Sequence, residues 1–297
     1  MNPRSIFYLL RDVMTIPVEG HQSEVWALSN RLKEFGFSQA QIHELLTLRW
    51  KQYHLNIDPA IERASHRVFD QDNGNAPRWP SRSQAEVEKV LTQKESIKAD
   101  WLKSESPVSE PWKMHTTEIL DRLFSEGDPL LCMGEGVDRF GTKPKSEFLN
   151  ELAHPEANLP HLVPSTMSKP TGITMEGKIS ARCRENAGPL RFQVVDLDDE
   201  ADFDDQVRIL WDLKRYLPLV MILHSGNRSL HGWYLASECP AVRMESFRLH
   251  AASLGADTSL YRPEQAARTP NQMRDGENKQ EVWYLDDSML QAKGEES

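Results

Sequence analysis

The sequence has few cysteines and no long apolar run, and each shortage excludes a class of protein. Its 297 residues include three cysteines, Cys132, Cys183 and Cys239, which lie far apart and form no C-x-x-C pair. This spacing argues against a disulfide framework and a zinc ribbon, and it is typical of a reducing cytoplasm. No apolar run approaches the roughly 18 residues of a membrane helix, and the first residues lack the apolar core of a secretory signal. The sequence therefore predicts a cytoplasmic protein without a membrane-spanning segment.

Positive charge is also in short supply. The chain carries 35 Lys and Arg against 45 Asp and Glu, a formal net charge of −10. Nucleic-acid-binding proteins usually present basic surface, so this balance predicts that any binding to DNA is weak and sensitive to salt. Many of the acids are concentrated over 196–205, so the net charge is a poor guide to the local field. No G-x-x-x-x-G-K-[ST] segment is present, which excludes a P-loop motor.

The residue patterns divide the chain into a helical part, a polar linker and a larger mixed part. Residues 1–72 carry apolar side chains at helical spacing and predict a small all-helical domain of three amphipathic helices. Residues 73–111 are polar and rich in Pro, Gly, Asn and Ser, which predicts a tether with some helix over 83–103. From 112 to 297, strand and helix patterns alternate. This last part predicts an α+β domain with a mostly antiparallel sheet.

Hydrophobic patterning also locates the elements of the α+β part. Strands are predicted over 129–133, 192–198, 219–224, 229–235 and 281–285. Helices are predicted over 117–124, 145–152, 203–216 and 241–254. Residues 153–188 are rich in Pro, Gly and Thr and predict loops.

A pair of acids ends the most apolar of these strands, which reads F-Q-V-V-D-L-D. Residues two apart on a strand project from the same face, so Asp196 and Asp198 are expected to point together. Two carboxylates facing one way repel each other unless a cation lies between them, and such oxygen ligands suit Mg²⁺ or Mn²⁺. The bland alternative is that both acids end the strand and cap the helix that follows.

A second candidate segment reads S-G-N-R-S-L-H and ends at His231. Its small residues predict a tight turn whose backbone amides can approach a phosphate closely. The candidate phosphate-binding residues are the turn and the histidine on the strand after it: Ser225, Gly226, Asn227, Arg228, Ser229 and His231. A strand histidine is by default structural, and this alternative stays open. His224, directly before the turn, is expected to be structural.

The third candidate segment follows the last predicted helix. It supplies Asp257 and then a basic stretch with Arg268 and Arg274 on either side of Pro270. Guanidinium groups bind phosphates through two parallel hydrogen bonds, so this stretch predicts a phosphate contact. Asp257 also fits an ordinary turn, and the arginines equally fit ion pairs with the acidic helix start.

Two further basic segments carry no recognised motif. They contain Lys143 and Lys178. Each segment could line a template groove, and each also fits an ordinary solvated loop.

Taken in order, the three candidate segments resemble the archaeo-eukaryotic primase superfamily. The family pattern is a D-x-D motif, an s-x-H motif, here Ser229-Leu230-His231, and a third acid followed by R-x-P, here Arg268-Thr269-Pro270. The resemblance covers about residues 112–287 and implies an RRM-like palm domain. The segment G-H-Q-S-E-V-W-A-L within residues 1–72 is similar to the helical modules called primase C-terminal domains, although here it precedes the palm.

The resemblance implies a template-directed nucleotidyltransferase, a DNA primase or primase–polymerase that replicates a mobile element or a similar module. Asp196, Asp198 and Asp257 would hold two Mg²⁺ or Mn²⁺ ions, and His231 would join them in the catalytic set. Arg268 would bind the triphosphate or the template. The implied partners are a single-stranded DNA template, nucleoside triphosphates and a separate helicase.

Two other functions remain open from the sequence. One is a non-catalytic replication-initiation or DNA-binding protein that keeps the palm as a scaffold. The other is a metal-dependent phosphotransferase or nuclease on a similar fold, because a D-x-D motif does not select polymerisation over hydrolysis.

Overall fold

The protein is described by a computed structural model over 79–136, 138–198 and 202–291, together with Ser29, Leu32, Lys33, Ile42 and Leu46. The chain divides into two compact units. One unit comprises Met1–Arg82 with Glu238–Ser253, and the other comprises Ser83–Ser237 with Leu254–Ser297. The candidate site residues named above all belong to the second unit.

The described residues form seven α-helices, ten β-strands and two short 3₁₀ helices. The α-helices are α1 (Gln84–Gln93), α2 (Ala99–Ser104), α3 (Thr116–Leu123), α4 (Lys145–Leu152), α5 (Phe203–Leu213), α6 (Ala241–Ser253) and α7 (Ser288–Gln291). The strands are β1 (Leu130–Gly134), β2 (Phe140–Pro144), β3 (His161–Leu162), β4 (Gly172–Ile173), β5 (Ile179–Ser180), β6 (Phe192–Asp196), β7 (Leu219–His224), β8 (Leu230–Leu235), β9 (Ala267–Arg268) and β10 (Val282–Leu285). The 3₁₀ helices are Pro111–Lys113 and Thr258–Tyr261.

In the first unit, the described N-terminal residues are helical, and Leu32, Ile42 and Leu46 are completely buried. Helix α6 belongs to the same unit. The rest of the helical module predicted at 1–72 lies outside the described residues.

The main sheet of the second unit has the strand order β10-β7-β8-β6. All its neighbouring strands are antiparallel. Strands β6 and β7 are buried along almost their whole length; β7 is an apolar run that ends at His224, and β6 buries Gln193 together with its apolar side chains. Phe192 and Trp233 anchor the core beneath this sheet, with their ring centroids 5.7 Å apart. The α+β class and the antiparallel sheet are confirmed.

A second antiparallel sheet has the order β2-β1-β3-β9. Strands β3 and β9 are only two residues long, and they join parts of the chain more than a hundred residues apart. A separate hairpin, β4–β5, projects from the stretch predicted as loops. Strands β2, β3, β4, β5 and β9 were not expected from the sequence, since none combines adequate length with an alternating pattern.

The structure differs from the sequence prediction over 83–111, which belongs to the second unit and is not a free tether. Helices α1 and α2 pack against α5. The ring of Trp101 meets that of Trp211 edge-on at 5.0 Å between centroids, and the backbone N–H of Ala99 donates to Asp204 Oδ1 at 2.8 Å. The apolar side chains that this segment buries are Val87, Val90, Ile97 and Leu102. Burial of these side chains stabilises the segment in place, so the compact unit begins well before the boundary predicted at residue 112.

None of the helices that the structure describes is long and apolar enough to cross a membrane. Cys132, Cys183 and Cys239 are free thiols, the first two buried.

Candidate functional site

The D-x-D and S-x-H segments meet across two neighbouring strands. Asp196, the last residue of β6, is the direct cross-strand partner of His231 on β8. His231 Nε2 lies 3.1 Å from Asp196 Oδ2. A carboxylate only accepts hydrogen bonds, so His231 carries a proton on Nε2 in this contact. The register of the antiparallel sheet therefore holds the acid and the imidazole together.

His231 is buried, Asp196 is mostly buried, and the pair is incompletely satisfied. Burial disfavours the charged form of Asp196, yet the His231 ring, with Ser229 and Arg268, holds the pKa of this carboxyl below its ordinary value. Asp196 Oδ1 and His231 Nδ1 are buried and have no hydrogen-bond partner among the described residues. Buried polar atoms without partners are rare in folded proteins and call for an explanation such as a missing ion or ligand.

The third acid lies beside the first. The backbone N–H of Asp257 donates to the carbonyl of Asp196 at 2.9 Å. Its carboxylate caps the 3₁₀ helix that follows, because Oδ1 accepts from the Ser259 N–H at 2.9 Å and Oδ2 from the Ser259 hydroxyl at 2.6 Å. The backbones of Asp257 and Asp196 are thus adjacent, and the Asp257 carboxylate takes the local turn role that the sequence left open.

Asp198 does not share the strand with Asp196. Strand β6 ends at Asp196, and Asp198 lies in the turn after it and is exposed. The expectation that both carboxylates project from one strand face is therefore not met, because the strand is two residues shorter than predicted.

The carboxylate oxygens are of a type that binds divalent cations, but the described acids are not arranged as a metal site. Asp196 Oδ1 is a buried carboxylate oxygen with no hydrogen-bond partner among the described residues, and hard cations prefer oxygen ligands. In the part of the chain that the structure describes, however, no group of three or more His, Cys, Asp or Glu side chains is placed to hold a metal ion. Asp196 Oδ1 is the candidate ligand atom, because both oxygens of Asp257 accept hydrogen bonds from Ser259.

The predicted phosphate turn is held by its own hydrogen bonds and by α5. Ser225 N–H donates to the Ser229 carbonyl at 2.9 Å, and the Ser229 hydroxyl donates to that of Ser225 at 3.0 Å. Gln206, on α5 and completely buried, donates to the Arg228 carbonyl at 2.9 Å and accepts from the Leu230 N–H at 2.6 Å. The sequence did not identify Gln206, whose neighbours in the chain give no sign of this contact. These hydrogen bonds therefore fix the backbone of the turn.

His224 stabilises the turn through contacts with the turn backbone. Its Nε2 lies 2.9 Å from the Asn227 carbonyl, and its Nδ1 accepts from the Gly226 N–H at 3.3 Å. The imidazole stacks on Trp283 with 5.5 Å between centroids. These contacts give His224 the structural role that the sequence favoured. They also occupy the amide of Gly226, one of those predicted for phosphate.

Gly226 brings the turn against the basic segment. Its φ is +78°, and a Cβ added there would lie 3.0 Å from the Asn278 carbonyl oxygen and 3.2 Å from Arg274 Cβ. Glycine is needed for both the conformation and the close approach. The S-x-H turn and Arg274 are thus neighbours, as a shared anion site requires.

The second arginine is held by a histidine to which the sequence assigned no role. His161 on β3 is the cross-strand partner of Arg268 on β9, and Arg268 Nη1 lies 3.0 Å from His161 Nε2. A guanidinium only donates, so this imidazole is neutral and accepts. Burial, followed by the charges of Arg268, Arg182 and Arg274, lowers the pKa of His161 to about 4.

The positive charges of this region act on one another and on the acids. Burial and the charge of Arg274 lower the pKa of Arg268, whereas Asp196 and Asp198 act in the opposite direction. Arg182 lies over the Phe140 ring, 4.0 Å from its centroid. Carboxylates and arginines therefore face a common region, and Arg182 joins it without having been predicted.

The two basic segments of uncertain role have different surroundings. Lys143 pairs with Glu151 at 2.9 Å beside the Phe148 ring. Lys178 pairs with Glu176 at 3.0 Å on the exposed β4–β5 hairpin. Both lysines thus have acidic partners at the surface.

Comparison of the chain with protein-family models, with curated proteins and with solved structures finds no match.

Proposed function

We propose that the protein is a metal-dependent, template-directed nucleotidyltransferase of the primase–polymerase type. The observation that carries the proposal is the direct pairing of Asp196 with His231 across neighbouring strands, with the amide of Asp257 bonded to the carbonyl of Asp196. Three segments that are separate in sequence, and that together resemble the primase motifs, thus supply adjacent residues.

The carboxylates form the catalytic half of the proposed site. Asp196, Asp198 and Asp257 would hold Mg²⁺ or Mn²⁺, which when bound supplies charge neutralisation for a triphosphate and activation of an attacking hydroxyl. His231 donates to Asp196 Oδ2, which fixes the carboxylate and leaves Oδ1 without a partner among the described residues. In this proposal His231 acts first as a positioning residue for the acid.

The arginines form the anion-binding half. Arg268 is fixed by His161, and Arg274 packs against the turn at Gly226. Guanidinium groups bind phosphate oxygens through paired, charge-assisted hydrogen bonds. Positioning and electrostatics of this kind are most of what a protein must supply for phosphoryl-type transfer.

The proposed reaction sets the partners. The enzyme would copy a single-stranded DNA template in the cytoplasm from nucleoside triphosphates. It would rely on a separate helicase, because the sequence has no P-loop motif.

The test is nucleotide incorporation on single-stranded DNA. Purified protein is incubated with radiolabelled nucleotides and Mg²⁺ or Mn²⁺, with and without an annealed primer. Template-dependent extension supports the proposal. Shortening of the DNA without extension would favour the nuclease alternative, and binding without either reaction would favour the non-catalytic one.

A further inference from the structure

The β4–β5 hairpin exposes three large apolar side chains. The exposed fractions are 58% for Ile173, 103% for Met175 and 79% for Ile179. Ile173 and Ile179 are cross-strand partners, so they stand side by side on one face of the hairpin. Elsewhere in the described chain, Met289 is the one other large apolar side chain that is strongly exposed, at 50%. We name residues 172–180 the apolar hairpin.

The base of the apolar hairpin is tightly packed, so the fold itself holds the apolar side chains of the hairpin in their exposed positions. A Cβ added to Gly172 would lie 2.7 Å from Cys183 Sγ and 3.0 Å from the Asn186 nitrogen. Asn186 is completely buried, where it accepts from the Cys183 N–H at 2.9 Å and donates to the Ala181 carbonyl at 2.8 Å. The apolar face therefore projects from a fixed base.

This base is hydrogen-bonded to the sheet that carries Arg268, one of the arginines proposed to bind phosphate. The Thr142 hydroxyl on β2 donates to the Ala181 carbonyl at 2.7 Å. Strand β2 is one edge of the sheet β2-β1-β3-β9, and Arg268 lies on the opposite edge strand, β9. The charge of Arg182, one residue after Ala181, acts on His161 between these edges. The base of the apolar hairpin is therefore bonded to the edge of the sheet opposite the strand that carries Arg268.

The charge of this stretch is opposite to that of the whole chain. From 169 to 185 it carries four basic side chains and two acidic ones, Glu176 and Glu185. The basic side chains are Lys169, Lys178, Arg182 and Arg184. Lys169 and Lys178 pair with Glu185 and Glu176, and such exposed pairs are weak enough to exchange for a phosphate. Arg184 is exposed. An apolar face flanked by positive charge complements a flexible polyanion that carries apolar bases.

We propose that the apolar hairpin and the arginines after it bind single-stranded nucleic acid. Bases pack on Ile173 and Ile179, as apolar wedges do in other complexes, and the phosphates lie along Arg182 and Arg184. The inference rests on the proposed function in one respect, that the bound strand is the template.

The test measures binding of a fluorescein-labelled oligothymidine by fluorescence anisotropy, without nucleotides, so that it does not depend on incorporation. The test variant combines Ile173→Ser with Ile179→Ser. Loss of apolar contact with the bases is expected to weaken binding by about tenfold. The matched control is Met289→Ser, which removes an exposed apolar side chain elsewhere and should bind as the wild type does. Thermal unfolding should be the same for all three proteins, because these side chains contribute little to the core.

The inference is overturned if the wild-type protein does not bind the oligothymidine, or if the double variant binds it as tightly. It is equally overturned if the double variant keeps its DNA affinity and instead loses self-association in sedimentation, since the hairpin would then be an interface between copies. A wild-type protein that binds DNA through the hairpin but incorporates no nucleotide contradicts the proposed function and leaves this inference standing.

Discussion

Asp196 and His231 each satisfy one polar atom through the other, and each leaves one buried atom, Oδ1 or Nδ1, without a partner among the described residues. An unsatisfied buried polar atom costs about 1–3 kcal/mol, so a fold that served stability alone would gain by replacing the pair with apolar residues. A ligand that completes the pair would remove this cost. His161 and Arg268 form a second polar pair of this kind, joined by a hydrogen bond of 3.0 Å.

The pKa of His161 predicts how stability changes with pH. Burial and three arginines lower this pKa from 6.5 to about 4 in the folded protein. The contribution to stability is complete above pH 6.5 and is lost as the pH falls towards 4, because the unfolded chain binds the proton first. Urea unfolding of His161→Gln over this range should show a shallower decline in the free energy of unfolding than the wild type.

The control for this prediction is His154→Gln, which changes an exposed histidine of the same unit. Its unfolding should follow the wild-type dependence on pH. Equal declines for His161→Gln and the wild type would mean that the folded protein does not hold this imidazole neutral.

The sequence selected Asp196, Asp257 and His231, which lie next to one another in the structure, and it missed the residues that support them. Asp196, His231 and Asp257 belong to short motifs, so the residues next to them in the sequence were enough to select them. His161 reaches Arg268 across 107 positions of chain, through two strands of two residues each. No local pattern carries that contact, and the same is true of Gln206 beneath the turn.

At the scale of elements, α5 and the β7–β8 turn form one assembly. The helix begins at the Asp202 cap, whose side chain accepts from the Asp204 N–H at 2.8 Å. One helical turn later, Gln206 bonds to the backbone of the residues on either side of Ser229. The helix thus fixes the turn relative to the strand that carries His231.

Replacing the Gln206 amide with an isosteric apolar group should loosen this assembly. Gln206→Leu leaves the Arg228 carbonyl and the Leu230 N–H without their partner, at an expected cost of about 1–3 kcal/mol. Chemical denaturation should report the loss as a lower midpoint. Gln84→Leu, at an exposed position on α1, should leave the midpoint within about 0.5 kcal/mol of the wild-type value. A Gln206 variant as stable as the control would show that the turn does not depend on the helix.

Elements with strong patterns were predicted closely, and short ones were not. Helix α4 and strand β7 have the predicted bounds, because each is a periodic run with clear ends. Strand β2 reads F-G-T-K-P, and its Gly and Pro hide a strand that pairs along its full length with β1. The short strands β3 and β9 arise from tertiary pairing and leave no signal in composition.

For the whole molecule, the largest difference from the sequence prediction is the segment 83–111. Its polar composition suggested a tether. Its few apolar side chains are buried against α5, which follows about a hundred residues later in the chain, so the sequence around them gave no sign of their burial. Val87, Val90 and Leu102 are all buried in the second unit. A boundary drawn from composition alone therefore removes part of a core.

This placement predicts which fragments are stable. A fragment that begins at Ser83 should be more stable than one that begins at residue 112, by about 3 kcal/mol or more, because the shorter one loses several buried apolar side chains. Guanidinium unfolding of the two fragments, followed by tryptophan fluorescence, measures the difference. Equal stability would mean that α1 and α2 add nothing to the second unit, as the tether interpretation holds.

The central claim is that the carboxylates around the Asp196–His231 pair serve nucleotide incorporation. The most direct measurement compares extension of a primed single-stranded template, with Mn²⁺, by the wild type and by the Asp196→Asn, Asp198→Asn double variant. The double variant should fall to the background of a reaction without enzyme, because the amides cannot replace charged metal ligands. The control is Asp128→Asn, a similar change at an exposed acid that caps Ser146, and it should extend the primer as the wild type does. Undiminished extension by the folded double variant would contradict the account.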